Sequence, residues 1–599
     1  SEMLHKKGVA YVDQISTDIR SSSPSVYKAI HKSLNVMGPI GLSILSYVLM
    51  LVVVFSYMGQ EPAQAAASIK ELNDPVPQYG TFVLQFSASS VTGWKFKKFP
   101  QVTFTKGSSK FKVEGFFNGD GNGNSSGTLW LARFMPNAQG TWNYSWSFEG
   151  SSGTGSFFVG PRTNSKNHGH VKRDGKFLKH DDGTGFHFRG ANWPSAINLR
   201  ESTNVVNGSP RFSDNEWVNY VNRLEQTGHN GSWMANIGNM INNDRASFDL
   251  KWMKRVDWAI ETAGKRGLYM FLSLFNLWGR SEHDPFEPNI DSSKQLLDPF
   301  NGSRHREAKE FFFRYVSARY AGYFNVMWEL GNEMDNTLRF SNNVSGFISA
   351  SNTYYIPWIR QYDPYDLPIT LSEDKKLSTK VSLDIDGHHQ HESFPFSQRS
   401  RPGILTEIVN DVASGATWQT NVCNNPTYRS HYRRVIWKFM ADGGSGSIEC
   451  SIMFFGGIFN NSLTKYLADG NIRNVMEDHG RMGTFMANLP LEMFEMPPTG
   501  GIGSSHSSYK TRGKVGQAYM AYFYNLGTSQ ASITLNLDSG AYQARWFSPS
   551  LGTYSSAKTV KDGDKISSPF SNQKDVALEL VSIPEDTTAP ASPVGLFIK

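Results

Sequence analysis

The chain has 599 residues, too many for one hydrophobic core, so two to four domains are expected. A net charge of +6 with no basic run excludes a nucleic-acid binder of the usual kind, although it leans towards an anionic partner. Only two cysteines, Cys423 and Cys450, exclude a disulfide framework; Cys450 reads as a small buried strand residue, with a single bridge to Cys423 as the alternative. Charged residues at 19% and aromatics at 13%, with 54 glycines, suit an exported, β-rich, sugar-handling chain.

Residues 1–68 form a leader. Ile40 to Met58 is apolar and uncharged, preceded by Lys6, Lys7, Arg20, Lys28 and Lys32 and followed by Ala63-Gln64-Ala65-Ala66-Ala67. Nineteen residues just span a bilayer, whereas the small residues behind them fit a cleavage site. A cleaved signal and a retained membrane anchor through residues 40–58 both remain open. Either way the basic flank stays inside and the rest is exported to the periplasm, cell surface or medium.

Residues 69–163 show period-two runs between glycine-rich turns, such as Thr81 to Phe86, Phe111 to Phe116 and Thr141 to Trp146. That pattern predicts a β-sandwich. The Asn118 to Asn124 loop reads as plain turn, with a calcium site as the less favoured reading. Residues 164–497 then alternate strands with helices. Strand-like runs fall at Phe186–Phe188, Ser232–Ile237, Leu268–Phe275, Asn325–Leu330, Pro368–Leu371, Val381–Ile385, Ile404–Glu407 and Ile448–Phe455. Between them lie amphipathic stretches. In Asp249 to Arg266, for example, Leu250, Met253, Val256, Ala259 and Ile260 share one face and Gly267 stops the helix. Eight such strands predict an α/β chain with a (β/α)8 TIM barrel, whose site is built at the carboxyl ends of the strands. A doubly wound open sheet is the rival, but no glycine-rich phosphate loop supports it. Residues 498–583 return to short strands and predict a C-terminal β-sandwich; residues 584–599 are linker.

The stretch that carries chemistry is Val326-Met327-Trp328-Glu329-Leu330-Gly331-Asn332-Glu333, a buried parallel strand that stops on a carboxylate. Gly403-Ile404-Leu405-Thr406-Glu407 repeats the design 74 residues later (407 minus 333). Two carboxylates at strand tips are what glycosidic cleavage needs: one acid for the leaving oxygen, one base or nucleophile at the sugar carbon.

Trp328-Glu329-Leu330-Gly331-Asn332-Glu333 resembles the acid/base strand of the clan A retaining glycoside hydrolases, in which an Asn-Glu pair closes the fourth barrel strand and a glutamate closes the seventh. The resemblance implies Glu333 as general acid/base and Glu407 as nucleophile, Asn332 on the sugar 2-hydroxyl, and an arginine near the nucleophile, for which Arg189 is the candidate. It also implies a histidine after the sixth strand; His388 and His389 are the candidates, with metal ligation or plain polar packing as alternatives. Glu329, inside the strand, is expected to be a hydrogen-bonding anchor. Trp193, Trp278 and Trp418 are candidate sugar platforms and Asn236 a hydroxyl ligand, since flat rings cover pyranose faces. Arg245, Arg280 and His283 are equally well solvated surface groups or contacts to an anionic sugar. Met334 departs from the proline that many clan members carry there, which argues against the commonest cellulase and mannanase subgroup.

The Trp130 to Tyr144 stretch resembles an accessory sandwich of exported polysaccharide hydrolases. Arg545-Trp546-Phe547-Ser548-Pro549 is similar to the closing hairpin of sandwiches packed on such barrels, and Thr587 to Leu596 resembles a linker into a fibronectin-like repeat. The whole order resembles marine hydrolases of agar-like or carrageenan-like galactans, implying a polysaccharide substrate, neutral or sulfated and attacked internally, with no cofactor or metal. A surface carbohydrate-binding protein on an inactive barrel and a membrane-tethered adhesion protein remain the alternatives.

Overall fold

The computed structural model describes residues 67–192, 205–206, 209–210, 213–234, 237, 240–275, 300–332, 334, 344–372, 379–389, 396–407, 426–448 and 468–584. The apolar stretch Ile40 to Met58, both cysteines and the tail beyond residue 584 lie outside them. Among the described residues no helix is long and apolar enough to cross a membrane.

The N-terminal region is β-rich. One antiparallel sheet joins Ser68–Glu71, Phe82–Ser87, Leu129–Phe134 and Phe116–Gly119; a mixed sheet joins Val76–Pro77, in parallel, to Ser151–Gly160, and that strand to Gly140–Phe148, Gln101–Lys106 and Ser109–Glu114 in antiparallel order. Alternation does the work: Phe82, Leu84 and Phe86 are buried while their neighbours are half-exposed. Rings from the two sheets then meet, Phe82 stacking on Phe157 at 3.7 Å and Phe104 on Phe134 at 4.1 Å between centroids. In the Asn118 to Asn124 loop the Asp120 carboxylate accepts from Asn122 N, Asn124 N and Asn124 Nδ2. Those bonds account for the loop as a turn.

Next comes a parallel sheet of eight strands: Arg189–Asn192, Gly231–Met234, Tyr269–Ser273, Val326–Asn332, Ile369–Ser372, Asp386–His389, Gly403–Glu407 and Ser445–Ile448. The first strand pairs with both the second and the eighth. The remaining edges close on each other, because Asp384 N and Ile385 N both donate to Ile369 O. This is the predicted (β/α)8 barrel. Helices follow from local signals. Ser213 and Glu216 form a capping box ahead of Asp214–Gln226. Asp249 caps Leu250–Gly264, where the five predicted apolar residues are buried, and Gly267 at φ +72° turns the chain out. Inside the barrel Phe188, Trp233, Phe271, Met327 and Ile404 form one buried cluster. Gly190 and Gly231 make room for it, since a Cβ at either would stand 2.4 Å from the Phe188 ring.

Three barrel strands sit a few residues from their predicted places. Phe188 precedes the first strand, which starts at Arg189; Val381–Ile385 precedes the sixth, which starts at Asp386; the eighth starts at Ser445, ahead of Ile448. Phe186 belongs instead to a small antiparallel sheet of Val171–Asp174, Phe177–His180 and Gly185–Phe186.

Beyond the barrel, Ser508–Lys514, Ala518–Tyr524, Val576–Ile583, Ala541–Ser548 and Thr553–Tyr554 form a mixed-length antiparallel sheet, joined by Lys558–Lys561. A second sheet is made of Gly503–Ser505, Ser532–Leu535 and Lys565–Ser567. Tyr519, Phe523, Ile533, Trp546 and Leu578 share their own buried core. Buried ion pairs tie these regions to the barrel. Asp257 receives Arg133 from the N-terminal region and Arg319 from the barrel; Arg433 binds Asp478 and Asp575.

Candidate active site

The fourth strand is buried from Val326 to Gly331 and half-exposed at Asn332, where it emerges at its carboxyl end. Glu329 is wholly buried and accepts from Trp233 Nε1 at 2.8 Å, with the Phe271 ring 4.0 Å from that indole. That is the anchoring role expected of it, with Trp233 of the second strand as a partner.

Asn332 N donates to Phe275 O at 2.9 Å, and Asn332 lies opposite Ser372 at the tip of the fifth strand. Ser372 Oγ then donates to Thr406 Oγ1 of the seventh strand at 3.0 Å. Thr406 Oγ1 donates to His388 O of the sixth at 3.1 Å, and Ser447 Oγ of the eighth donates to Thr406 O at 2.8 Å. Ser372, Thr406 and Ser447 are all at least 99% buried. Buried hydroxyls must be paired, and here the pairing stitches the tips of four successive strands. Residues 333 and 407 each come one position after a member of this network or its register partner. The backbone of Glu407 closes the seventh strand opposite His389.

The structure thus gathers Asn332, His389 and Glu407 at one end of the barrel through their backbones. Glu333, Trp193, Asn236, Trp278 and Trp418 lie outside the described residues. Two candidates are placed elsewhere. The His388 ring is buried and packs edge-on against Phe439 of the helix Pro426–Ala441, its centroid 5.8 Å away. The expected substrate contact is therefore corrected to packing against the helix layer. Arg189 opens the first strand at its amino end, and its guanidinium donates to His187 O and Gly228 O. It is at the opposite end of the barrel from the backbone of Glu407, because the strand begins where it was expected to finish. Reading missed Ser372, Thr406 and Ser447. Their signal was visible: a hydroxyl directly after Leu371, Leu405 or Gly446, near the carboxyl ends of three strands. Among the described residues no group of three or more His, Cys, Asp or Glu is arranged to hold a metal.

Residues 214–399 match the family model Cellulase (glycosyl hydrolase family 5). The matched segment lies within the barrel. It runs from the first barrel helix past the sixth strand, so it takes in Asn332 and Glu333, while Glu407 lies beyond it. The Met334 departure does not prevent that match. Residues 75–149 match a domain of unknown function, DUF5060. No curated protein matches the chain. Among solved structures, a candidate glycoside hydrolase from Bacteroides vulgatus ATCC 8482 is similar over 85% of this chain and 100% of its own, at 16% identity and a TM-score of 0.62. A glycoside hydrolase family 5 structure from the same organism is similar over 70% of this chain and 94% of its own, at 14% identity and a TM-score of 0.51. At those identities the likeness is one of fold. The family 5 match and the fold together support an O-glycosyl hydrolase.

Proposed function

We propose that this protein is a retaining glycoside hydrolase in which Glu333 is the general acid/base and Glu407 the nucleophile. The observation that supports it is the hydroxyl network just described, which binds the fifth-strand partner of Asn332 to Thr406, the neighbour of Glu407. Glu333 protonates the glycosidic oxygen while Glu407 attacks the anomeric carbon, forming a glycosyl-enzyme; water, deprotonated by Glu333, then releases the sugar. Retention requires the two carboxyls to stand roughly 5–5.5 Å apart. Asn332 is assigned to the 2-hydroxyl, and Trp193, Trp278, Trp418 and Asn236 to the sugar subsites.

The substrate we infer is an algal galactan of the agar or carrageenan type, neutral or sulfated and cut internally. It rests on the order of the regions, with the β-rich flanks read as sandwiches, and on the positive net charge. Export through the leader, cleaved or retained as an anchor, fits a polymer that cannot enter the cell.

The test is reducing-end release from a panel of algal and plant polysaccharides, with Glu333→Gln and Glu407→Gln alongside. A 2-deoxy-2-fluoroglycoside of the substrate sugar should label the peptide that holds Glu407. Wild-type turnover in both variants, or a label on another residue, refutes the assignment.

A further inference from the structure

The opposite mouth of the barrel, where the strands begin, holds a cavity of about 520 Å³. Its floor is formed by strand starts such as Arg189, Tyr269 and Ser445, and its wall by the Lys176–His187 hairpin and by Arg512 from the C-terminal region. Ligand pockets run from about 300 to 1,000 Å³, so its size suits a small organic molecule.

The charge on its lining is unbalanced. Arg512 is 1% exposed, and among the described residues its guanidinium donates to the carbonyls of Met440, Met493 and Met496. Among the described residues the Arg189 guanidinium donates to His187 O and Gly228 O, in space left by Gly483, where a Cβ would stand 2.7 Å from Nε. Arg266 is held by Asn222 Oδ1 and Thr262 O, and Lys176 Nζ by Phe396 O. Among the described residues none of the four meets a carboxylate. Of the two acids on the lining, Glu225 is taken by Lys166, and Glu492 accepts the Gly185 N–H.

Burying a guanidinium without a counter-charge is expensive. The cost shows here: burial pulls Arg512 down to about 9 and Arg189 to about 10. His187, between them, is driven to about 3 by burial and then by both arginines. Among the described residues the lining of this end carries more basic than acidic side chains, and these four basic groups have no carboxylate partner.

We propose that this cavity is an oxyanion site, separate from the catalytic end, that takes a sulfate, phosphate or carboxylate group between Arg189, Arg512, Arg266 and Lys176. The same chemistry comes from two sources, a free inorganic ion or an ester on a sugar whose body fills the rest of the space against Phe177 and Phe494. The inference does not rest on the hydrolase reading.

It is tested on the whole chain by thermal shift and calorimetry with sodium sulfate, sodium phosphate, galactose 6-sulfate and galactose, each against sodium chloride at equal ionic strength, which removes general screening. A rise in melting temperature with the ester alone supports the site and a sugar-borne source. A rise with the inorganic ions that saturates at low millimolar concentration, with a matching calorimetric binding heat, supports it with a free ion as ligand; a rise that does not saturate is the general stabilisation these salts give by exclusion from the surface and counts as no rise. No rise beyond chloride overturns it. Arg512→Gln risks the fold, because Arg512 holds three carbonyls, so the located test is the rim pair Arg266→Gln with Lys176→Gln. It should weaken binding by about tenfold or more; unchanged affinity in that folded variant overturns the placement.

Discussion

Thr406→Val keeps the shape of the side chain and removes only the hydroxyl that links three strands. Two hydrogen bonds go with it, the one from Ser372 at 3.0 Å and the one to His388 O at 3.1 Å. Thr406 is wholly buried, so water cannot replace them. Each bond is worth about 0.5–1.5 kcal/mol net, which sets the loss at about 1–3 kcal/mol with no cavity term. The kinetic effect should be larger in proportion. Glu407, the proposed nucleophile, is the next residue, and a reacting group displaced by about 1 Å costs on the order of 10²-fold. Urea unfolding gives the first quantity and reducing-end assays the second, with kcat falling and KM nearly unchanged. Ser372→Ala combined with Thr406→Val should cost less than the sum of the two, since both remove one bond. Wild-type kcat in Thr406→Val, or strict additivity in the double variant, refutes the idea that these hydroxyls position the nucleophile strand.

Glu333→Gln and Glu407→Gln should each lower kcat on the true substrate by about 10³-fold or more, roughly 4 kcal/mol, while far-ultraviolet circular dichroism stays native. Asp257→Asn leaves Arg133 and Arg319 buried without their charge partner and should cost about 3–5 kcal/mol in urea unfolding. Burial pushes the Asp257 carboxyl up, but the two arginines outweigh it and hold it below 3.8, so its stabilisation is full above about pH 4 and fades as pH falls through the folded value. Burial drives His187 and His229 to about 3, below the 6.5 of a free imidazole. The unfolded chain therefore takes up protons that the folded one refuses, and stability should decline as pH drops from 6.5 towards 3; His229→Gln should make that decline shallower in urea midpoints taken at pH 7 and pH 4.

The barrel was legible because its central strands are buried on both sides and read as unbroken apolar runs. Val326 to Leu330 and Tyr269 to Leu272 lie where their composition puts them. The helices were legible through their caps, Ser213 with Glu216 and Asp249. What composition did not disclose is the set of strands built from small or polar residues. Arg189-Gly190-Ala191-Asn192, Asp386-Gly387-His388-His389 and Ser445-Gly446-Ser447-Ile448 are strands by tertiary pairing alone. Gly387 shows why: a Cβ there would stand 1.8 Å from Leu371 O, so the close approach of neighbouring backbones selects a residue with no hydrophobic signal.

Such offsets matter more in a barrel than elsewhere. At about 3.3 Å per residue, a slip of three positions is about 10 Å, nearly the length of a four-residue strand. It therefore exchanges the two mouths of the barrel. Arg189 followed that path: read as closing the first strand it belonged with the nucleophile, and as opening the strand it joins Arg512 at the other mouth. Thr406 and Glu407 escaped because Ile404 and Leu405 are apolar and fix the register directly before them. In a (β/α)8 chain, then, a residue's chemistry is read securely only where two or more apolar neighbours pin its strand. By that standard the strand ends before residues 333 and 407 are secure, whereas the assignment of the first strand was never pinned.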